Sequence, residues 1–110
     1  MPWAVEFHDD FAAEVASFPD SVRIELLAMA RLLEEFGPTL GRPHVDTLAG
    51  SRISNLKELR FSADGGVWRV AFAFNRRRVA TLLAGGNKKG VSGTRFYRIL
   101  IARAERRFEG

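Results

Sequence analysis

A chain of 110 residues, 46% apolar and 27% charged, has room for one hydrophobic core, so a single domain over residues 1–110 is expected. The lack of cysteine excludes disulfides, thiol nucleophiles and Cys-ligated zinc or iron–sulfur centres, and the two distant histidines, His8 and His44, offer no metal-ligand spacing. The net charge of +4 is unevenly spread: residues 1–55 carry 4 Arg against 9 acids, and residues 56–110 carry 13 Lys and Arg against 4. Such segregation can present a positive face to a polyanion, or it can be a solvated Arg-rich surface. The first residues lack a basic, apolar leader, and no run approaches the roughly 18 to 20 apolar residues of a membrane span. A cytoplasmic protein with no membrane partner is expected.

Trp3, Val5 and Phe7 alternate with Ala4 and Glu6, the period of a half-buried strand. From Asp9 the spacing turns helical through Phe11, Val15 and Phe18, and Pro19 ends that helix. Asp20 is placed to cap a second helix through Phe36, with Val22, Leu26, Met29, Leu33 and Phe36 as its apolar line, widened by Leu27 and Leu32, and Gly37-Pro38 as its stop. Residues 40–54 read as a loop around one extended piece at Val45–Leu48.

Three strand-like runs follow, Leu56–Ser62, Val67–Asn75 and Val79–Gly85, separated by Asp64-Gly65-Gly66 and the Asn75–Arg78 turn. Alternation puts Trp68, Val70, Phe72 and Phe74 under the helices, together with Leu59 and Phe61. Glu58, Arg60 and Arg69 then share the opposite, open face. Ser92 can cap a last helix with Phe96, Tyr97, Leu100, Ile101, Ala104 and Phe108 on one side and Arg95, Arg98 and Arg106 on the other. The class is α+β: a small antiparallel sheet with an N-terminal helical hairpin and a C-terminal helix packed on it.

An acid between guanidinium groups on a rigid sheet suits phosphodiester chemistry without a metal or cofactor, because Arg holds phosphate oxygens bidentately and stays charged. On RNA, a base beside the 2′-hydroxyl generates an internal nucleophile, and an acid protonates the leaving 5′-oxygen. Glu58 is the one acid between Asp46 and Asp64 and the base candidate; Lys88, Lys89 or Tyr97 are candidates for the acid. Glu58 beside Lys57 and Arg60 equally suits a plain surface ion pair. Arg76-Arg77-Arg78 suits a solvated hairpin tip or phosphate attraction, and Gly85–Gly90 lacks the spacing of a nucleotide-binding P-loop.

The segments Leu56-Lys57-Glu58-Leu59-Arg60-Phe61, Val67-Trp68-Arg69-Val70-Ala71-Phe72, Leu82-Leu83-Ala84-Gly85-Gly86-Asn87-Lys88-Lys89-Gly90 and Arg95-Phe96-Tyr97 before a terminal helix resemble, in that order, the phage-derived branch of the RelE/HigB toxins of type II toxin–antitoxin systems. The resemblance implies helices on one sheet face and, on the other, a site that receives messenger RNA in the ribosomal A site and cleaves it without metal. Arg69 matches the family's strand arginine at the scissile phosphate, Glu58 and Arg60 match the Glu-Leu-Arg element, and Lys88 falls in the basic turn. These four are the expected catalytic residues, with Lys57, Arg76, Arg77, Lys89, Arg95, Tyr97 and Arg98 as the expected RNA-binding surface. The implied partners are the ribosome with its mRNA and a cognate antitoxin, often a helix-turn-helix protein through which alone operator DNA is met. The apolar stripe at Leu27 and Leu32 offers that antitoxin a groove. The related ParE branch inhibits DNA gyrase instead, and a basic RNA-binding module without catalysis is a third reading.

Overall fold

The computed structural model describes residues 2–109. Strand β1 (Ala4–Phe7) leads into helices α1 (Asp9–Val15) and α2 (Asp20–Phe36), followed by a 3-10 turn at Gly37–Thr39. Strands β2 (Val45–Thr47), β3 (Lys57–Ala63), β4 (Gly66–Phe74) and β5 (Val79–Asn87) come next, and helix α3 (Gly93–Glu109) closes the order. No described helix is long and apolar enough to cross a membrane.

Local chemistry explains the boundaries. His8 Nδ1 accepts the Asp10 N–H at 3.1 Å and so caps α1. Asp20, expected as the cap of α2, lies inside its first turn and pairs with Arg23; Pro19 supplies the extended cap geometry, and its carbonyl accepts from Val22 N and Arg23 N at 3.0 and 3.1 Å. Gly37 ends α2 at φ +54, where a side chain is strained, and an added Cβ would also strike the Trp3 indole. Ser92 caps α3 as its position predicts, its hydroxyl accepting from Arg95 N at 3.2 Å.

The strands form one sheet in the order β1-β5-β4-β3-β2. Strands β3 to β5 are the expected antiparallel meander; the extended piece expected at residues 45–48 joins it as β2, antiparallel to β3, whereas β1 lies parallel to β5, with Ala4 opposite Val79 and Phe7 opposite Leu82. No hairpin turn joins β1 to β5, so turn geometry does not dictate their direction, and the sheet is mixed.

The largest departure from expectation concerns the faces. One face carries Leu59, Phe61, Trp68, Val70, Phe72, Ala80 and Leu82 under α1 and α2, as alternation predicts. The other is not open: Leu56, Ala71, Ala73, Leu83 and Ala84 pack there against Leu100 and Ala104 of α3. Three alanines on adjacent strands let a helix approach closely, which the polar residues further along the same face conceal in the sequence. Phe108, expected on the packed side of α3, is 51% exposed.

A bulge in β5 sets the phase of this second face. Ala71 pairs with Ala84 but Phe72 pairs with Leu82, so Leu83 is an extra residue in the ladder. Leu83 and Ala84 both join the α3 side, and Gly86 comes opposite Arg69. The Leu83 carbonyl accepts from Arg107 Nη1 at 2.9 Å, and the same guanidinium grips both oxygens of Glu14, tying α3 to α1. That hydrogen bonding holds the Glu14 carboxyl below its ordinary 4.5 despite an opposing effect of burial.

Arg107→Ala leaves the Leu83 carbonyl without its partner and should cost about 1–3 kcal/mol in urea unfolding. The Glu14 part has a pH signature. A carboxyl lowered on folding contributes fully above its unfolded value of 4.5 and loses that contribution as pH falls through the folded value. The stability gap between the unsubstituted protein and Glu14→Gln should therefore be steady at neutral pH and narrow below about 4.5.

Candidate active site

The alternation of β3 brings Glu58 and Arg60 to the α3 side of the sheet, and the β3–β4 register sets Arg60 opposite Arg69. Tyr97 descends from the second turn of α3, and its hydroxyl donates to Glu58 Oε1 at 2.8 Å. Arg60 Nη1 donates to Glu58 Oε2 at 3.1 Å, and Arg69 Nε stands 3.7 Å from Glu58 Oε1. Lys88, just past β5, holds its Nζ 5.7 Å from the centroid of the Tyr97 ring. Arg60, Arg69 and Tyr97 thus gather around the Glu58 carboxylate, and Lys88 lies over the Tyr97 ring.

Their burial differs from expectation. Glu58 is 3% exposed and Arg69 8%, because α3 covers the face that alternation alone leaves open. Arg69 Nη1 donates to the Trp68 carbonyl at 2.9 Å, while its buried Nε has no hydrogen-bond partner among the described residues. A buried guanidinium with a spare donor beside a carboxylate and a phenol has capacity for one more acceptor. Burial first, then donation to Glu58, raises the Tyr97 pKa above its ordinary 10.0, with Arg69 opposing. The phenol therefore stays protonated at neutral pH and can give a proton.

Arg60 also lies 3.7 Å from Asp46 Oδ2. Asp46, opposite Glu58 on β2, accepts from Thr47 N at 2.9 Å and Arg42 Nη2 at 2.6 Å, and these partners hold its carboxyl below the usual range. Sequence reading misses Asp46, since only the β2–β3 register brings it beside Arg60.

The expected RNA-binding residues divide. Arg95 and Arg98 are exposed on the first turns of α3, flanking Tyr97. Lys89 is engaged elsewhere, its Nζ donating to the Gly65 carbonyl at 2.9 Å. Lys57 alternates with Glu58, which sets it toward the α2 side, with Nζ 3.5 Å from Thr47 Oγ1. Arg76 and Arg77 lie in the β4–β5 turn, seven residues beyond Arg69, or about 23 Å at roughly 3.3 Å per residue. The structure does not bring these last four to Glu58.

A crevice of about 300 Å³ leads to the carboxylate, lined by Thr47, Leu48, Ala49, Glu58, Tyr97 and Ile101. A larger hollow of about 530 Å³ opens between Gly85-Gly86 and the Arg95–Phe96 turn of α3. It contains none of the five clustered side chains, so the smaller crevice is the one placed for acid–base chemistry.

The chain is an α+β domain of the RelE/HigB toxin type, a mixed sheet between a helical hairpin and a C-terminal helix, with Glu58, Arg60, Arg69 and Tyr97 meeting at one end of the sheet. The family described as Phage derived protein Gp49-like (DUF891) matches residues 13–109, and the chain belongs to it. It is 45% identical over 84 residues to HigB2 of Mycobacterium tuberculosis, covering 76% of this chain and 41% of that protein. It is 47% identical over 78 residues to HigB3 of the same organism, covering 71% and 66%. The chain thus spans about two fifths and two thirds of these relatives. The fold is shared with archaeal RelE from a RelE-RelB complex of Pyrococcus horikoshii (TM-score 0.62, 22% identity, 83% of this chain and 100% of that one). It is also shared with a free-state arginine-to-alanine mutant of E. coli toxin RelE (TM-score 0.62, 13% identity, 93% and 96%).

The single tyrosine makes the central contact directly observable. Spectrophotometric titration should find Tyr97 ionising above 10.0, and Glu58→Gln should move it down toward that value without reaching it, because burial remains. An unchanged titration in Glu58→Gln would show that the phenol and carboxylate are not in contact.

Proposed function

We propose that the chain is a toxin that cleaves messenger RNA on the ribosome, by attack of a ribose 2′-oxygen on the adjacent phosphorus. The observation that carries this reading is Glu58 held between Tyr97 and Arg60, with the spare donor of Arg69 alongside. Glu58 accepts the 2′-hydroxyl proton, the 2′-oxygen bonds to phosphorus, and the bond to the 5′-oxygen breaks as that oxygen takes a proton from Tyr97 or Lys88. The product is a 2′,3′-cyclic phosphate, which water opens to a 3′-phosphate. Arg60 and Arg69 stabilise the charge that builds on the phosphate oxygens. Substrate entry moves the Tyr97 hydroxyl from Glu58 to the leaving oxygen, a shift within one hydrogen-bonded cluster. No step calls for a metal or cofactor, and the setting is the cytoplasm, where ribosomes are.

An antitoxin partner follows from the same reading. Leu27 of α2 is 56% exposed, whereas Leu32, expected beside it, packs against the core. A hollow of about 260 Å³ runs between Leu27, Ala30, Arg31 and Glu34 of α2 and Val5 and Phe7 of the edge strand β1. It is remote from Glu58, so an antitoxin docked there inhibits by bulk, barring the toxin from the ribosome. Hydrogen exchange of the complex should show new protection in residues 4–7 and 20–36; protection confined to residues 56–75 and 85–98 would mean the antitoxin plugs the site.

Arg69→Ala should keep the fold and lower cleavage by about two to three orders of magnitude, the usual loss on removing one donor to transition-state charge. Arg69→Lys should not restore it fully, because a point charge lacks the bidentate fork. The measurement is mapping of transcript 5′ ends after induction without antitoxin. Intact mRNA with arrested DNA synthesis would overturn the nuclease reading in favour of gyrase inhibition.

A further inference from the structure

The crevice beside Glu58 has an apolar wall made by Leu48, Ala49 and Ile101, and its polar members are Glu58, Tyr97 and Thr47. It continues past Tyr97 and Ile101 into a second hollow of about 520 Å³ bordered by Gly50, Arg98 and Glu105. The two hollows hold the carboxylates of Glu58 and Glu105 and only one cation, Arg98, while Arg60, Arg69 and Lys88 are absent from both linings. Phosphate is thus drawn to the arginine side of Glu58, and the crevice side is left for uncharged groups.

We propose that this crevice is the subsite for the base of the nucleotide whose 2′-oxygen attacks the phosphorus, and that Leu48, Ala49 and Ile101 set which base is accepted. The inference rests on the endonuclease reading, which makes Glu58 the proton acceptor. With the ribose at Glu58 and its 3′-phosphate toward Arg69, the base has the apolar crevice as its remaining direction. At about 300 Å³ the space is at the small end of ligand pockets and takes one base, not a base pair. The nucleotide must therefore be unpaired, and its recognition is by shape and apolar contact.

Ala49 is exposed at the rim and touches none of the ion pairs around Glu58, so Ala49→Leu narrows the crevice without disturbing the acid–base cluster. Transcript 5′ ends mapped in cells inducing the unsubstituted protein, Ala49→Leu or Ile101→Ala should show a shift in the base immediately 5′ of the cut. Ala49→Leu should lower cutting after purines about tenfold relative to pyrimidines, the scale of discrimination by small changes in an apolar pocket, and Ile101→Ala should raise the purine share. The same base distribution in all three would overturn the subsite. Absence of cuts from the unsubstituted protein would instead defeat the endonuclease reading. A binding measurement separates the two: adenosine 3′-monophosphate should shift the Leu48 and Ile101 methyl resonances, more weakly in Ala49→Leu, while inorganic phosphate leaves them in place. Shifts confined to the arginines and lysines would overturn the subsite whatever the cleavage result.

Discussion

The buried carboxylate of Glu58 is the constraint around which the second half of the molecule is arranged. An ionised carboxylate taken out of water is costly unless it is paired and hydrogen-bonded. Arg60, Arg69 and Tyr97 meet that need from three different elements, β3, β4 and α3. Stability and reactivity pull in opposite directions here. A structural ion pair would satisfy every donor, whereas Arg69 Nε, though 3.7 Å from Glu58, has no hydrogen-bond partner among the described residues.

The positioning of Tyr97 depends on features far from it. Helix α3 lies close to the sheet because Ala71, Ala73 and Ala84 give it a shallow bed, and the bulge at Leu83 brings Ala84 and Gly86 to that side. A regular β5 would set Gly85 opposite Arg69 and Gly86 opposite Trp68, on the α1–α2 face. At its other end α3 is fixed by Arg107 to Glu14 and Leu83, and by Glu105 and Glu109 to the 51–53 turn. Both tethers join α3 to segments from the first half of the chain, and in the Arg107–Glu14 pair a cation of the basic half meets an acid of the acidic half.

Much of this was legible in the sequence where a single period governs. The limits of α2, the inward Leu59, Phe61, Trp68, Val70 and Phe72, and the shared face of Glu58, Arg60 and Arg69 all follow from alternation or helical spacing. What alternation does not state is whether the second face is covered. Ala71 and Ala73 read as neutral in a pattern of apolar against polar residues, yet their small size is the signal for a packed helix. The bulge and the parallel β1 were equally hidden, because both arise from pairing between distant segments. Asp46 and the crevice residues Thr47 to Ala49 fell in a stretch whose register no local pattern reveals.

The charge count illustrates the same limit in another way. Thirteen cations in the second half of the sequence suggest one broad positive face, but the fold scatters them. Arg107 and Lys89 are engaged structurally, Arg76 and Arg77 sit at the far hairpin, and Arg60 shares itself between Glu58 and Asp46. Lys88, Arg95 and Arg98 remain near Tyr97, while Arg69 is withdrawn beneath it. Exposed charges attract a polyanion from a distance and are screened by salt, whereas a buried guanidinium acts only on an oxygen that has reached it. Under the proposed function, attraction and chemistry therefore fall to different arginines, and total charge describes only the first.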